Sequence, residues 1–149
     1  MAVPLPSCCP VSDTILHRDV LVPAADGVVL HARDHGPVEN IPLPVLCLPG
    51  LTRNAKDFEA VAARLARSRR VVSPDFRGRG QSGYAPDPLT YRPDVELADT
   101  LRVLDHLGIG RLAVIGTSRG GIVAMIMAAK AKDRLAGVLL NDIGPRVDV

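Results

Sequence analysis

Several patterns are missing from this sequence, and each absence removes a class of function. Neither charge dominates: 18 basic and 16 acidic residues are interspersed, for a net charge of +2. Such a mixture offers no basic face to nucleic acid or to an anionic membrane surface. No apolar stretch approaches the roughly 20 residues that a membrane-spanning helix needs. The opening MAVPLPSCCP has no basic n-region and is broken by prolines, which argues against a secretory signal and for a cytoplasmic protein. Cysteine is scarce: Cys8, Cys9 and Cys47 cannot all pair and have no metal-ligand spacing. Cys47 reads as a small core residue, and the vicinal pair as part of a disordered tail over residues 1–13. There is no internal repeat and no low-complexity tract. Finally, no histidine occurs between Arg119 and Val149.

What remains is an ordinary globular composition, 47% hydrophobic and 23% charged over 149 residues, enough for one domain with its own core. We place that domain at residues 14–149. Thr14 to Val22 and Val28 to Asp34 read as two strands around the Asp26-Gly27 turn. A Pro-rich loop, Gly36 to Pro44, leads to the short apolar run Val45 to Leu48, which is expected to be a buried strand. A helix is expected from Ala55 to about Arg67, with Phe58, Val61, Ala62 and Leu65 on one face and Asn54 and Asp57 capping its start. The basic run Arg64 to Arg70 then lies at the solvated C-terminal end of that helix. Arg70 to Ser73 reads as a strand. Asp94 is expected to cap a helix with Leu97, Leu101 and Leu104 on its face, ending at Gly108. Leu112 to Ile115 is a strand, Arg119 to Lys130 a helix, and Leu135 to Leu140 a strand. Strands alternating with helices imply an α/β fold: a mostly parallel sheet with helices on both faces, made mixed by the opening hairpin.

The chemistry concentrates at Gly116-Thr117-Ser118-Arg119-Gly120-Gly121, directly between an expected strand and an expected helix. This is G-x-S-x-G in the context that gives the pattern meaning. Small residues on either side let the chain reverse sharply and lift the serine hydroxyl clear of the sheet. The serine then sits at the positive end of the following helix. The Arg119 N–H is aimed at the oxyanion formed when that hydroxyl attacks a carbonyl. The alternative for the same residues is a turn that merely needs glycine. A second glycine pattern, Gly78 to Gly83, spells G-x-G-x-x-G. Tyr84-Ala85-Pro86-Asp87-Pro88 follows it and cannot open the helix that a dinucleotide site requires, so no such cofactor is expected.

Two further segments join the elbow. Leu48-Pro49-Gly50-Leu51-Thr52 follows the third strand, and Asp75-Phe76-Arg77-Gly78-Arg79-Gly80-Gln81-Ser82-Gly83 follows the fourth. With these in order, the chain from about Val20 to Pro145 resembles the α/β-hydrolase family, in its N-terminal part. The resemblance implies that Leu51 N–H is the second oxyanion donor, in a loop where Pro49 replaces the commoner histidine. It implies D-x-R-G-x-G-x-S after the fourth strand, whose Asp75, Arg77 and Ser82 we read as turn and packing residues. It also implies hydrolysis of a small ester or related acyl substrate through a Ser118 acyl-enzyme. A serine nucleophile argues against the haloalkane dehalogenase and epoxide hydrolase branches and leaves C–C bond hydrolases and serine-dependent peroxidases open. No cofactor or metal is implied, and oligomeric state is not readable.

Serine needs a base and usually an orienting acid, and the family's order is Ser, then Asp or Glu, then His. His17, His31, His35 and His106 all precede Ser118 and read as surface or packing residues. Asp142 is a candidate acid, or a turn former beside Asn141, Gly144 and Pro145. The cap that usually sets substrate choice is inserted in the family just after the sixth strand. The chain alone is therefore expected to be inactive, with Leu135 to Leu140 as an uncovered sheet edge. The competing reading is a non-catalytic fragment or interaction module that retains the scaffold.

Overall fold

The computed structural model describes residues 17–39 and 42–143. The expected N-terminal tail, with Cys8 and Cys9, lies outside those residues, as do Thr14 to Leu16 of the expected first strand and the turn residues Gly144 and Pro145. Six strands form one sheet: β1 (His17–Pro23), β2 (Val29–His35), β3 (Val45–Leu48), β4 (Val71–Pro74), β5 (Leu112–Thr117) and β6 (Leu135–Asn141). Their spatial order is β1-β2-β4-β3-β5-β6. The opening hairpin β1/β2 and the β2/β4 pair are antiparallel, while β4, β3, β5 and β6 run parallel. Three main helices cover it: α1 (Glu59–Leu65), α2 (Pro93–His106) and α3 (Arg119–Lys130). The α/β class, the hairpin and the mostly parallel sheet are as the sequence implies.

Alternation along β3 builds two cores. Leu46 and Leu48 pack with Leu30, Val72, Val114 and the inner faces of α2 and α3, including Leu97, Leu104, Val123 and Met127. Val45 and Cys47 face the other side, against Val71 and the α1 side chains Ala62 and Phe58 just before it. A strand buried on both faces has no polar position to offer, which explains its unbroken apolar run. Burial pushes the Cys47 thiol up to about 12, so it serves as an inert core group.

Three local expectations need correction. The helix expected from Ala55 to Arg67 opens as a 3-10 turn, Ala55–Phe58, and continues as α only to Leu65. Asn54 caps this turn, accepting from Lys56 N–H at 3.0 Å, but Asp57 does not and pairs with Arg53. The Ala55 N–H is drawn to the buried Asp75 carboxylate at 2.7 Å, which holds the turn's start against the sheet. Second, Asp94 is not the cap of α2. Pro93 fills the first helical position and forces Arg92 extended, so Asp94 falls inside the first turn, paired with Arg92. The far end is as expected: Gly108 takes φ +67° and closes a Schellman turn, with Gly108 N–H on Asp105 O and Ile109 N–H on Leu104 O. Third, the basic run is not solvated throughout. Arg70 is buried and forks onto Asp34 at 2.9 and 3.0 Å.

The segment Asp75 to Gly83 is held from several sides. Asp75 accepts from Ala55 N–H, from Gln81 N–H at 2.9 Å and from His31 Nδ1 at 2.8 Å. Ser82 Oγ accepts the His31 N–H at 2.8 Å and donates to Asp75 O at 2.7 Å. Gly80 has φ +55°, and a Cβ there would lie 2.2 Å from the Asp75 carboxylate. Buried Arg77 forks onto Asp99 of α2 at 2.7 and 2.8 Å and reaches Asp26 in the β1–β2 turn at 2.8 Å. No helix opens on Gly83.

Removing one partner of a buried pair leaves the other charge uncompensated, at about 3–5 kcal/mol. Arg77→Met should destabilise the fold by about that amount near neutral pH in urea unfolding. Burial already pushes the Asp99 carboxyl up despite Arg77 beside it. Without Arg77 the carboxyl rises further, so the protonated form is what folds best. The variant's deficit should shrink as pH falls from 7 toward the ordinary carboxylate range near ~4.

Candidate active site

At the C-terminal end of β5 the backbone leaves the sheet through Ser118 and enters α3 at Arg119. Ser118 has φ 49° and ψ −111°, the left-handed side of backbone space that non-glycine residues rarely adopt. Its N–H is fixed by Asn141 O at 3.0 Å, and its carbonyl accepts from Gly121 and Ile122 N–H at 2.9 and 3.2 Å. The side chain makes no capping hydrogen bond to α3, and the residue is half-buried.

The glycines around it are required by space. A Cβ on Gly116 would lie 2.7 Å from Gly120 O, and one on Gly120 only 2.2 Å from Leu48 O at the end of β3. The N-terminal turn of α3 is therefore pressed directly onto the strand that carries the Pro49 to Thr52 loop. That loop leaves the sheet beside the elbow, because β3 and β5 are parallel neighbours with Leu48 opposite Gly116. A Cβ on Gly50 would stand 3.9 Å from Ser118 Cβ. Among the described residues the Leu51 N–H donates to no backbone carbonyl. The Arg119 N–H, first in its helix, has no intrahelical acceptor.

Behind this surface lies a charged cluster that motif reading missed. Glu96, in the first turn of α2, has no solvent exposure. One carboxylate oxygen takes Arg119 Nε at 2.8 Å and the other takes an Arg79 terminal nitrogen at 2.9 Å. Arg79 Nε donates to Leu51 O at 3.0 Å, and Arg119 donates also to Tyr91 O at 3.2 Å. The Arg79 guanidinium stands 5.7 Å from the Tyr91 ring centre. Glu96 shares its turn with Asp94, and Asp99 follows one turn later, so no pattern of the sequence singles it out.

Asp142 lies just past the end of β6, whose Asn141 is opposite Thr117, so it shares the sheet end with Ser118. It is exposed and has φ 54°. The histidines are elsewhere. His17 is on β1, His31 and His35 on β2, and His106 at the end of α2. The β2 strand lies three strands from β5, roughly 14 Å at ordinary spacing. Both His31 ring nitrogens are already engaged, by Asp75 and by Asp19 at 2.8 Å. Burial holds the His35 imidazole below its ordinary value. Among the described residues no group of three or more His, Cys, Asp or Glu is arranged to hold a metal ion. No helix among them is long and apolar enough to cross a membrane.

A family model described as the alpha/beta hydrolase fold matches residues 44–148. The chain belongs to the α/β-hydrolase fold family. Among curated proteins it is 36% identical over 106 residues to a 3-hydroxybutyrate-oligomer hydrolase from Cupriavidus necator, covering 71% of this chain and 36% of that protein. It is 33% identical over 119 residues to lipase LipV from Mycobacterium tuberculosis, covering 80% of this chain and 43% of the lipase. An α/β-hydrolase crystal structure from Novosphingobium aromaticivorans superposes with TM-score 0.82 at 49% identity, over 88% of this chain and 46% of that one. The chain thus spans less than half the length of these α/β hydrolases.

The close approach at Gly120 yields a direct contrast. Gly120→Ala should cost at least about 3 kcal/mol, because the new methyl meets backbone rather than a movable side chain. Gly110→Ala has nothing within 4 Å of its Cβ and should leave stability within about 0.5 kcal/mol of the parent. Chemical denaturation of both variants measures the difference.

Proposed function

We propose that this chain carries the nucleophile and the oxyanion-binding half of a serine hydrolase acting on esters or related acyl compounds. The observation that supports this best is the backbone of Ser118, held left-handed between β5 and α3 with its hydroxyl uncapped, next to the Gly50-Leu51 loop. Strain of that kind persists only when surrounding contacts enforce it. In this reading it sets the hydroxyl toward the Leu51 and Arg119 N–H groups.

In the proposed reaction Ser118 Oγ attacks the acyl carbon while a base removes its proton. The carbonyl oxygen becomes an oxyanion bound by Leu51 and Arg119 N–H, a stabilisation typically worth about 3–4 kcal/mol per donor. Collapse expels the alcohol, which takes the proton back from the base and leaves an acyl-Ser118 ester. Water, deprotonated by the same base, then releases the acid and restores the serine. The base in this account is a histidine that these 149 residues do not supply, and Asp142 is the in-chain candidate for its acid partner. The relatives named as a 3-hydroxybutyrate-oligomer hydrolase and a lipase support an ester substrate.

The competing reading is a scaffold retained for interaction without turnover. The two separate in an activated-ester assay of the protein in its natural full length, beside residues 1–149 alone. The hydrolase reading expects turnover that Ser118→Ala abolishes with the fold intact. It expects the 149-residue chain to retain only a residual rate, on the order of 10³-fold above water. Turnover unchanged in Ser118→Ala means a different nucleophile, and none in the natural protein favours the scaffold.

A further inference from the structure

Glu96 is wholly buried, with its two side-chain oxygens between two guanidinium groups. Stability alone is a weak reason for such a group. Buried ion triads often add nothing over apolar residues of the same volume, because desolvation consumes the Coulombic gain. What the triad does contribute is geometry, since charge-assisted and forked hydrogen bonds tolerate little displacement.

We propose that Glu96 is a positioning residue that fixes the two oxyanion donors relative to each other. This rests on the oxyanion assignment of Leu51 and Arg119. One continuous path of hydrogen bonds joins the two residues: Leu51 O to Arg79, Arg79 to Glu96, and Glu96 to the Arg119 side chain. Every link is between 2.8 and 3.0 Å. At one end, the carbonyl of Leu51 is held in a loop that, among the described residues, otherwise has one backbone turn bond, Arg53 N–H to Gly50 O at 3.2 Å. At the other end, the side chain of Arg119 is drawn back toward α2 and Tyr91 O and away from the nucleophile. The residue that donates one N–H and the residue that donates the other are thereby tied to the same carboxylate. Glu96 touches no substrate in this arrangement. It acts through the spacing of the two N–H groups, which matters most when the oxygen between them carries full charge.

The sequence offers no substitute for it. Asp99, one turn further along α2, is committed to Arg77. Gln at position 96 keeps the volume but presents an amide N–H₂ to one of the two guanidiniums, so one arm of the path must open.

The test compares E96Q and R79M with the parent in the natural full-length protein, using an activated ester for turnover and an alkyl boronic acid as a tetrahedral-adduct probe. Misplacement of catalytic groups by about 1 Å costs up to ~10²-fold in rate. Both variants should lose about 10- to 100-fold in kcat, with KM within about threefold and boronate affinity falling in step with kcat. A general loss of structure would instead lower melting temperature and the active fraction while leaving kcat per labelled site and boronate affinity unchanged, and that result overturns the proposal. R79M removes the Leu51 arm, together with the Arg79 bond to Arg77 O and its contact with the Tyr91 ring, and leaves Glu96 paired with Arg119, so at a partly exposed residue it decides the matter if E96Q does not fold. Ser118→Ala assayed in parallel separates the two levels. If it remains active, the nucleophile reading fails and this inference with it. If it is dead while folded R79M turns over at the parental rate, only the role of Glu96 is refuted.

Discussion

The whole site depends on how closely the first turn of α3 approaches β3. Gly120 stands against Leu48 O with no room for a single methyl group, and Gly116 against Gly120 O likewise. That contact compresses the strand-to-helix connection into one residue, and the one residue is Ser118 in a left-handed conformation. The strain is held by the parallel pairing of β3, β5 and β6, by Asn141 O on the Ser118 N–H, and by the apolar packing of Val123, Ala124 and Met127 beneath the helix. Were α3 to sit a little further out, the hydroxyl would relax toward the helix and cap it, as serines at helix starts ordinarily do.

A second layer of organisation is ionic. Asp34 with Arg70, Asp99 with Arg77, and Glu96 with Arg79 and Arg119 are all buried or nearly so, and each joins elements distant in the chain. Asp75 does the same with hydrogen bonds, gathering β2, the start of the α1 segment and its own loop. Such contacts add less to net stability than their number suggests. Those of Asp75, Asp99 and Glu96 leave the loops at the C-terminal sheet end few alternative positions, while the Asp34–Arg70 pair fastens the opposite end, where β3 and β4 begin. In open parallel sheets the C-terminal end is where ligands bind.

Much of this was legible in the residues. The elbow glycines are readable because their requirement is steric and local. The alternation of strands and helices is readable because the period of the apolar residues changes with the element, as at Val45 to Leu48 against Leu97, Leu101 and Leu104. Gly108 announced its left-handed cap. The helix beginning at Ala55 was less legible, because its first N–H is drawn away by Asp75, twenty positions further along the chain. Arg70 was misread for the same reason: its run looked like a solvated helix end, and only the fold brings Asp34 to it. The Glu96 cluster was invisible for a stronger reason. Arg79 and Arg119 lie within motifs that already had an explanation, and nothing in the spacing of residues 79, 96 and 119 brings them together until the sheet is assembled.

In the reaction proposed above, the family fold presents a nucleophilic serine at position 118. Trypsin should release the site as one peptide, Leu112 to Arg119, after cleavage at Arg111 and Arg119. The direct measurement is covalent labelling of the natural full-length protein with a fluorophosphonate, followed by mass-spectrometric mapping of the adduct. The account predicts a single phosphonylated residue, Ser118, within that peptide. An adduct on any other residue, or none in a protein that hydrolyses ester, would contradict it.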